Sequence, residues 1–372
     1  MDIWPTYKLE QICGYTHNRT SDVKNYISTE NMQPGKGGIC PAAKAPADAA
    51  IEYRPGDILI SNIRPYFQKT WYADRNGGCS ADVLCIRAKE NADSRYLYYL
   101  LSQQAFFDYV MSGAKGCKMP RGDKKQIMQW PVTLPPLAEQ QRIAAILGAL
   151  DDKIELNRRI NANLEEQAKA LFRELLYNYS SGKLYPLNKF ANINPYRKIT
   201  TGACARHIEM ANLPTKGPFP ANWTYKKFSG GAKFQNGDTL IARITPCLEN
   251  GKAAYINCLD INEVAFGSTE YIVISAKEKY CPALFYFLVR DSTFIDYAVG
   301  HMNGSSGRQR ISGNDIERYL VPEITQELSN KFAELAMPIM ATIKNNSFEN
   351  RKLAALRDAL LPKLMRGEIM PG

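Results

Sequence analysis

Five cations, Lys115, Lys118, Arg121, Lys124 and Lys125, crowd the segment SGAKGCKMPRGDKK, and a second glycine-bearing segment, GHMNGSSGRQR, holds Asn303, Arg308, Gln309 and Arg310. Ammonium and guanidinium groups at this density suit phosphates, while Arg, Asn and Gln also match the donor and acceptor edges of bases. A second set follows two similar strand-like runs: Arg64, Tyr66 and Lys69 after GDILISNIRP, and Arg243, Asn250 and Lys252 after GDTLIARITP. Taken singly, each of these residues reads equally well as solvated surface. Their recurrence at matching places in two copies favours working loops, because a shared scaffold places such loops alike.

Groups that would carry catalysis are not evident. The three histidines, His17, His207 and His301, show no metal-ligand spacing. GKGG around Lys36 and GAKG around Lys115 lack the spacing and final hydroxyl of a phosphate-binding loop. INPY, Ile193 to Tyr196, resembles part of an amino-methyltransferase base pocket, but it lacks the second proline and any preceding glycine-rich cofactor loop; it reads as a turn. The sequence therefore predicts no catalytic residue, no protein-bound metal and no cofactor.

The elements that must position the cations come in duplicate. GDILISNIRP at 56–65 and GDTLIARITP at 237–246 are 181 positions apart, and AKE at 88–90 meets AKE at 276–278 at an offset of 188. Each copy shows the same order of signals. Strand alternation at 57–63 and 81–87 matches 239–244 and 270–275; a helix from Ser94 to Met111, with Ser94 as cap, matches one from Pro282 that stops before Gly300. Then come the basic loop, a short helix and a proline-bounded strand ending in LPPL (134–137) or VPEI (321–324). Each globular unit is expected to be α+β.

A long apolar-periodic helix follows each unit. The first seam runs Ile143, Leu147, Leu150, Ile154, Leu164, Ala168, Leu171, Leu175, broken by Asn157 and Asn161. The second runs Phe332, Ala336, Ile339, Ile343, Leu353, Arg357, Leu360, Leu364, broken by Asn346 and Asn350. Facing each other antiparallel, the helices would set Asn157 opposite Asn350 and Asn161 opposite Asn346, giving each buried amide a partner. A parallel pairing also matches Asn with Asn, given a connection as long as the helices; on a wetted face the asparagines would pair with nothing. A seam of 32 residues is about 48 Å long. Used as a spacer, it predicts half-sites separated by about 5 to 9 unread base pairs.

Composition agrees with a polyanionic partner. Lys plus Arg total 47 against 37 Asp plus Glu, and the excess lies in the globular copies: 17 against 13 in residues 1–135, and 17 against 11 in residues 181–322. Nine cysteines with no C-x-x-C pair predict reduced thiols and a cytoplasmic location. No run approaches the roughly 18 apolar residues of a membrane span, and the start MDIWPTYKLE lacks a signal-peptide core.

With LPPLAEQQRIAAILGALDDKIELNRRINANLEEQAKALF following a basic α+β unit, and the whole repeated, the chain resembles the specificity subunit of type I restriction-modification enzymes. The resemblance covers essentially all 372 residues, with LPPLAEQQRIAAIL its most specific element. It implies an α+β fold with a pseudo-twofold internal repeat: target recognition domains over 1–135 and 181–322, and conserved long helices over 136–180 and 323–372 that form an antiparallel coiled coil. It further implies a non-catalytic DNA-binding subunit that reads a bipartite site on double-stranded DNA. Two modification subunits, which carry S-adenosylmethionine and methylate adenine, would bind the helices, and two restriction subunits can join. VPEITQEL departs from the first copy's P-P-L-x-E-Q signature and leaves the second docking surface in question. Two other classes remain: a self-sufficient DNA methyltransferase or nuclease, which would need a motif the chain lacks, and a coiled-coil scaffold without nucleic acid, which would not need basic lobes.

Overall fold

A computed structural model describes residues 4–21, 25–40, 50–178, 182–305 and 307–369. The chain divides into two compact units, Met1–Lys153 with Lys352–Gly372, and Ile154–Arg351. Each is α+β, and each takes a stretch of both long helices, Leu137–Arg173 and Gln326–Met365.

The first unit is built on a four-stranded antiparallel sheet in which Cys13–Tyr15, Val83–Ala88, Ile58–Ser61 and Thr70–Tyr72 are neighbours in that order. The second repeats it with Ala191–Ile193, Tyr271–Ala276, Asp238–Ala242 and Ala253–Tyr255. All four residues of Ile58–Ser61 and all five of Asp238–Ala242 are buried, so these runs form the sheet centres rather than alternating surface strands. A two-stranded ribbon closes each unit, Thr6–Lys8 with Pro131–Thr133 and Leu184–Pro186 with Leu320–Pro322. A further small sheet completes each: Arg19–Thr20, Ala50–Tyr53 and Gly77–Cys79 in the first unit, and the four strands Thr224–Lys227, Cys204–Ile208, Ala265–Gly267 and Lys233–Phe234 in the second.

The GD turn recurs for a physical reason. Gly56 and Gly237 have φ of 90° and 91°, a region where a Cβ is disfavoured. Asp57 and Asp238 are buried, and each accepts a backbone N–H three residues upstream, from Arg54 and Gln235, at 2.8 Å. Each carboxylate also has a guanidinium. Arg87 supplies it in the first unit, through two bonds of 2.7 Å; Ser275 stands at that place in the second, and Arg197 arrives from another segment to bond both oxygens at 2.7 Å. A buried carboxylate without a cation is costly enough that the repeat keeps the pair while changing its source.

Each expected single helix after the central strands is two. Ser94–Leu101 and Gln104–Ser112 form the first pair, and Pro282–Val289 and Ser292–Gly300 the second. Asp291 makes the second break by capping the amide of Thr293. The first helix begins one residue from its expected cap, since Asp93, not Ser94, accepts the N–H of Tyr96 at 2.8 Å. The helix interiors are strongly apolar: Tyr96, Leu97, Leu101, Phe106 and Phe107 pack with Ile143 and Leu147 of the first long helix and with Leu361 and Leu364 of the second. In the second unit Phe285, Phe287 and Phe294 pack with Ala168, Phe172 and Leu175, and with Phe332, Ala336 and Met340.

The long helices are antiparallel. Within the second unit Asn157, 1% exposed, donates through Nδ2 to Oδ1 of Asn350 at 3.0 Å and to Oε2 of Glu349 at 2.7 Å. Asn346 donates to Oδ1 of Asn161 at 2.9 Å, and Asn161 reaches Oγ of Ser347 at 3.3 Å. The Asn157 carbonyl oxygen is buried without a donor. Within the first unit the seam carries an ion pair instead: Arg357 bonds Asp151 at 2.6 Å, and Asp151 also accepts the hydroxyl of Tyr99 at 2.6 Å. Met340 and Leu361, rather than Ile339 and Leu360, are the buried residues of their turns. Among the described residues no helix is long and apolar enough to cross a membrane.

Candidate nucleic-acid interface

In the first unit two loops are stitched into one surface. The backbone N–H of Arg64 donates to the carbonyl of Pro120 at 2.8 Å, Ile63 bridges Arg121, and Lys115 and Arg121 exchange two backbone bonds of 2.9 Å that close a hairpin. Arg64, Tyr66, Lys115, Lys118 and Arg121 are therefore brought together from sequence positions some fifty residues apart. Between them the chain turns sharply: Pro65–Phe67 forms one 3-10 turn, flanked by Arg64 at φ 52° and Gln68 at φ 50°. Two left-handed non-glycine residues around a three-residue turn mark a loop held in shape by its surroundings. At its tip Tyr66 is 49% exposed, and Met119 on the joined hairpin 50%. Phe67 lies beside Tyr66 with ring centroids 4.7 Å apart.

The cations of this surface are not equivalent. Lys115 is exposed but bonded to Asp123 at 2.8 Å, and this ammonium, with the N–H groups of Gln126 and Lys125, holds the Asp123 carboxyl down to about 2. Asp123 also caps the short helix Lys124–Met128, which anchors the hairpin's exit. Arg121 pairs with Asp82 at 3.3 Å. Arg64, Lys118, Lys124 and Lys125 are exposed with no ion pair among the described residues.

The second unit repeats the joint. Thr245 N–H donates to the carbonyl of Gln309, Ile244 bridges Arg310, and Asn303 and Arg310 exchange two backbone bonds of 2.9 Å. Gly116 and Gly304 bend the two hairpins at φ 97° and 130°. Arg310 is held far more firmly than Arg121: Nε and Nη2 both bond Glu270, with contacts of 2.8 to 3.0 Å, and the guanidinium keeps the Glu270 carboxyl below its usual range. Nη1 of Arg310 turns back to the Arg308 carbonyl. Arg308 is exposed and Gln309 half-buried beside it; Asn303 folds its amide onto the His301 carbonyl at 3.1 Å.

The second candidate set divides. Asn62 and Arg243 occupy matching places, since each donates its N–H to the carbonyl of the matching acid, Asp82 or Glu270; the counterpart of Arg64 is therefore Thr245. Arg243 is half-buried and its Nε has no acceptor. Asn250 lines a cleft of about 490 Å³ with Glu165, Glu166, Lys169 and Lys216, against the long helix. Lys69 and Lys252 are true counterparts, because their carbonyls accept from Ser61 and Ala242, and both are half-buried with ammonium groups on backbone oxygens: Lys69 on Thr29 at 2.7 Å, Lys252 on Met210 at 2.8 Å.

Phe67 and Met119 were not among the sequence candidates. Nothing periodic in the chain signals an apolar loop tip, and Met119 joins the surface that carries Tyr66 and Phe67 only through the stitching of the two loops. INPY is a structural turn: Asn194, at φ 51°, accepts the N–H of Val273 at 3.0 Å. Among the described residues no group of three or more His, Cys, Asp or Glu side chains could hold a metal ion.

Residues 1–166 match the family model of the type I restriction modification DNA specificity domain. Curated relatives agree over greater lengths. The chain is 26% identical to the type I restriction enzyme MjaIX specificity subunit of Methanocaldococcus jannaschii, across 76% of this chain and 71% of the relative. It is 22% identical to the HindI specificity subunit of Haemophilus influenzae, across 99% of this chain and all of the relative. Its fold is similar to that of the S subunit of a type I restriction-modification system from M. genitalium, with a TM-score of 0.57, 14% identity, and 97% of this chain and 96% of that chain covered. The resemblance read from the sequence is borne out, including the repeat it covers.

Proposed function

We propose, starting from the chain's place among relatives of the type I restriction-modification specificity subunits, that it is the address-reading component of such a system. Each unit reads one half of a split DNA sequence, and the chemistry is performed by associated adenine methyltransferase subunits and, where present, restriction subunits. The observation that carries the reading is the duplicated loop joint. Arg64 to Pro120 and Thr245 to Gln309 are the same stitch made twice, and each gathers a loop after the GD strand with a cationic hairpin.

The chain's own part is recognition. Lys118, Lys124 and Lys125 are exposed and suit phosphates, a contribution that falls steeply with salt and carries no sequence information. Arg64, Tyr66, Arg308 and Gln309 are exposed or half-exposed on the joined loops and suit base edges. S-adenosylmethionine belongs to the modification partners in this reading, which number two because the docking helices occur twice. Gap length between half-sites is set by the helices.

The test is methylation mapping of DNA treated with the reconstituted complex. Adenine methylation should fall at two constant half-sequences with a constant gap, and the chain without its partners should transfer no methyl group. Methyl transfer by the purified chain, or modification that ignores either half-sequence, would refute the assignment.

A further inference from the structure

We infer that Lys69 and Lys252 are positioning residues rather than DNA contacts: each ties the segment that precedes the GD strand of its own unit, the insert over residues 25–40 or 206–221, to the base of the reading loop. The inference rests on the proposed function only for its DNA readout.

The inserts share few residues, Ile27 with Ile208 and Asn31 with Asn212 among them, yet they place their backbones alike. Ile27 makes a parallel bridge to Cys79, and Ile208 pairs in parallel with Gly267; Cys40 donates to the Asn31 carbonyl at 2.8 Å, and Ala221 to the Asn212 carbonyl at 2.9 Å. Ile27 and Ile208, Asn31 and Asn212, and Cys40 and Ala221 each stand at the 181-residue offset of the GD strands, while their partner strand, Cys79 against Gly267, follows at 188. On that alignment Thr29 and Met210 coincide, and these are the two carbonyls that receive the lysines. A threonine and a methionine share no side-chain chemistry. What is common to both units is the backbone oxygen, so the lysine is matched to where the insert runs and not to what it is made of.

The tie sits where an insert meets a reading loop. In the first unit the amides of Gly35 and Lys36 donate to Phe67 and Gln68 at 2.8 and 3.0 Å, directly beside Lys69. In the second, Ala253 and Tyr255, directly after Lys252, donate to Pro214 and Pro218 at 3.2 and 2.6 Å. The ammonium thus begins a short backbone ladder between insert and sheet. A half-buried ammonium on a carbonyl has lost much of its hydration and holds its stem in one rotamer, which suits a strut better than a mobile phosphate contact.

Lys69→Met and Lys252→Met test this in the full chain, with the conservative Lys→Arg forms as rescue. In the protein without DNA, amide exchange should quicken at Gly35 and Lys36 in the first variant, and at Ala253 and Tyr255 in the second. In the complex with its modification partners, discrimination of cognate from altered DNA should fall about tenfold or more, in the half-site of the altered unit alone, and Lys→Arg should restore most of it. The slope of log affinity against log salt should not move, whereas losing a phosphate contact lowers it by about one. A drop of that size, or unchanged exchange, overturns the inference. Because exchange is read without DNA, a tie that holds in a chain recognising no split sequence would refute the proposed function and leave this inference standing.

Discussion

Arg308 and Arg310 stand two residues apart on one hairpin and have different tasks. Every nitrogen of the Arg310 guanidinium is engaged, two by Glu270 and one by the Arg308 carbonyl, so its charge is largely spent inside the protein. Arg308 is exposed and its side chain lacks an ion pair among the described residues. Since a bidentate arginine contact to a guanine edge is worth roughly 1–3 kcal/mol of discrimination, Arg308→Ala should cost about that much against the cognate half-site of the second unit. It should leave thermal stability unchanged. Competition binding with singly altered half-sites measures the first, and a melting curve the second; a loss spread evenly over all sequences would assign Arg308 to phosphate instead. Density of charge in GHMNGSSGRQR was legible in the sequence, but the division of labour was not. Glu270 lies forty residues away and reaches the hairpin only because the strand it precedes is the neighbour of the GD strand.

At the scale of elements, the asparagines of the long helices decide register more than stability. Asn157 is buried, its Nδ2 is satisfied by Asn350 and Glu349, and its Oδ1 is not satisfied at all. Asn350→Ala should therefore destabilise the second unit by about 1–3 kcal/mol, because a buried amide loses a partner. Replacing both Asn157 and Asn350 by Leu should recover most of that loss, since two apolar groups of similar size leave nothing unpaired. Urea midpoints of the single and double variants check both; a double variant as unstable as the single one would mean that the amides are needed for packing itself. The heptad seam and its asparagine breaks could be read directly, because a helix buries what its period places on one face. The break between the paired short helices could not. Apolar residues resume on both sides of the polar stretch Arg290 to Thr293, and what starts a new helix there is the side chain of Asp291 accepting the Thr293 amide, a local competition that period analysis does not register.

For the molecule as a whole, the repeat settles which parts are interchangeable. GD strands, short helices, hairpins and long helices recur at offsets of 181, 188 or 189, and the sequence carried them because each is buried or bent for the same reason in both copies. The inserts were harder to read, since apart from isolated matches such as Ile27 with Ile208 and Asn31 with Asn212 they place different residues on a shared path. On the proposed function, separating reader from frame in this way predicts that the helices set the gap length. The chain passes between the two units only at 153–154 and 351–352, and both crossings lie inside long helices. Seven residues inserted at both crossings preserve the heptad and add about 10 Å of helix, or roughly three base pairs along a duplex. The half-sequences mapped by methylation should then stay as they are while the preferred gap between them lengthens by about that amount. Inserting at one crossing only should put the helices out of register across the insertion, so that the asparagine pairs of the second unit and the Arg357–Asp151 pair of the first can no longer both form, and recognition of any split site should be lost. A gap that stays constant in the doubly lengthened chain would place the measurement of distance in the modification partners and remove it from these helices.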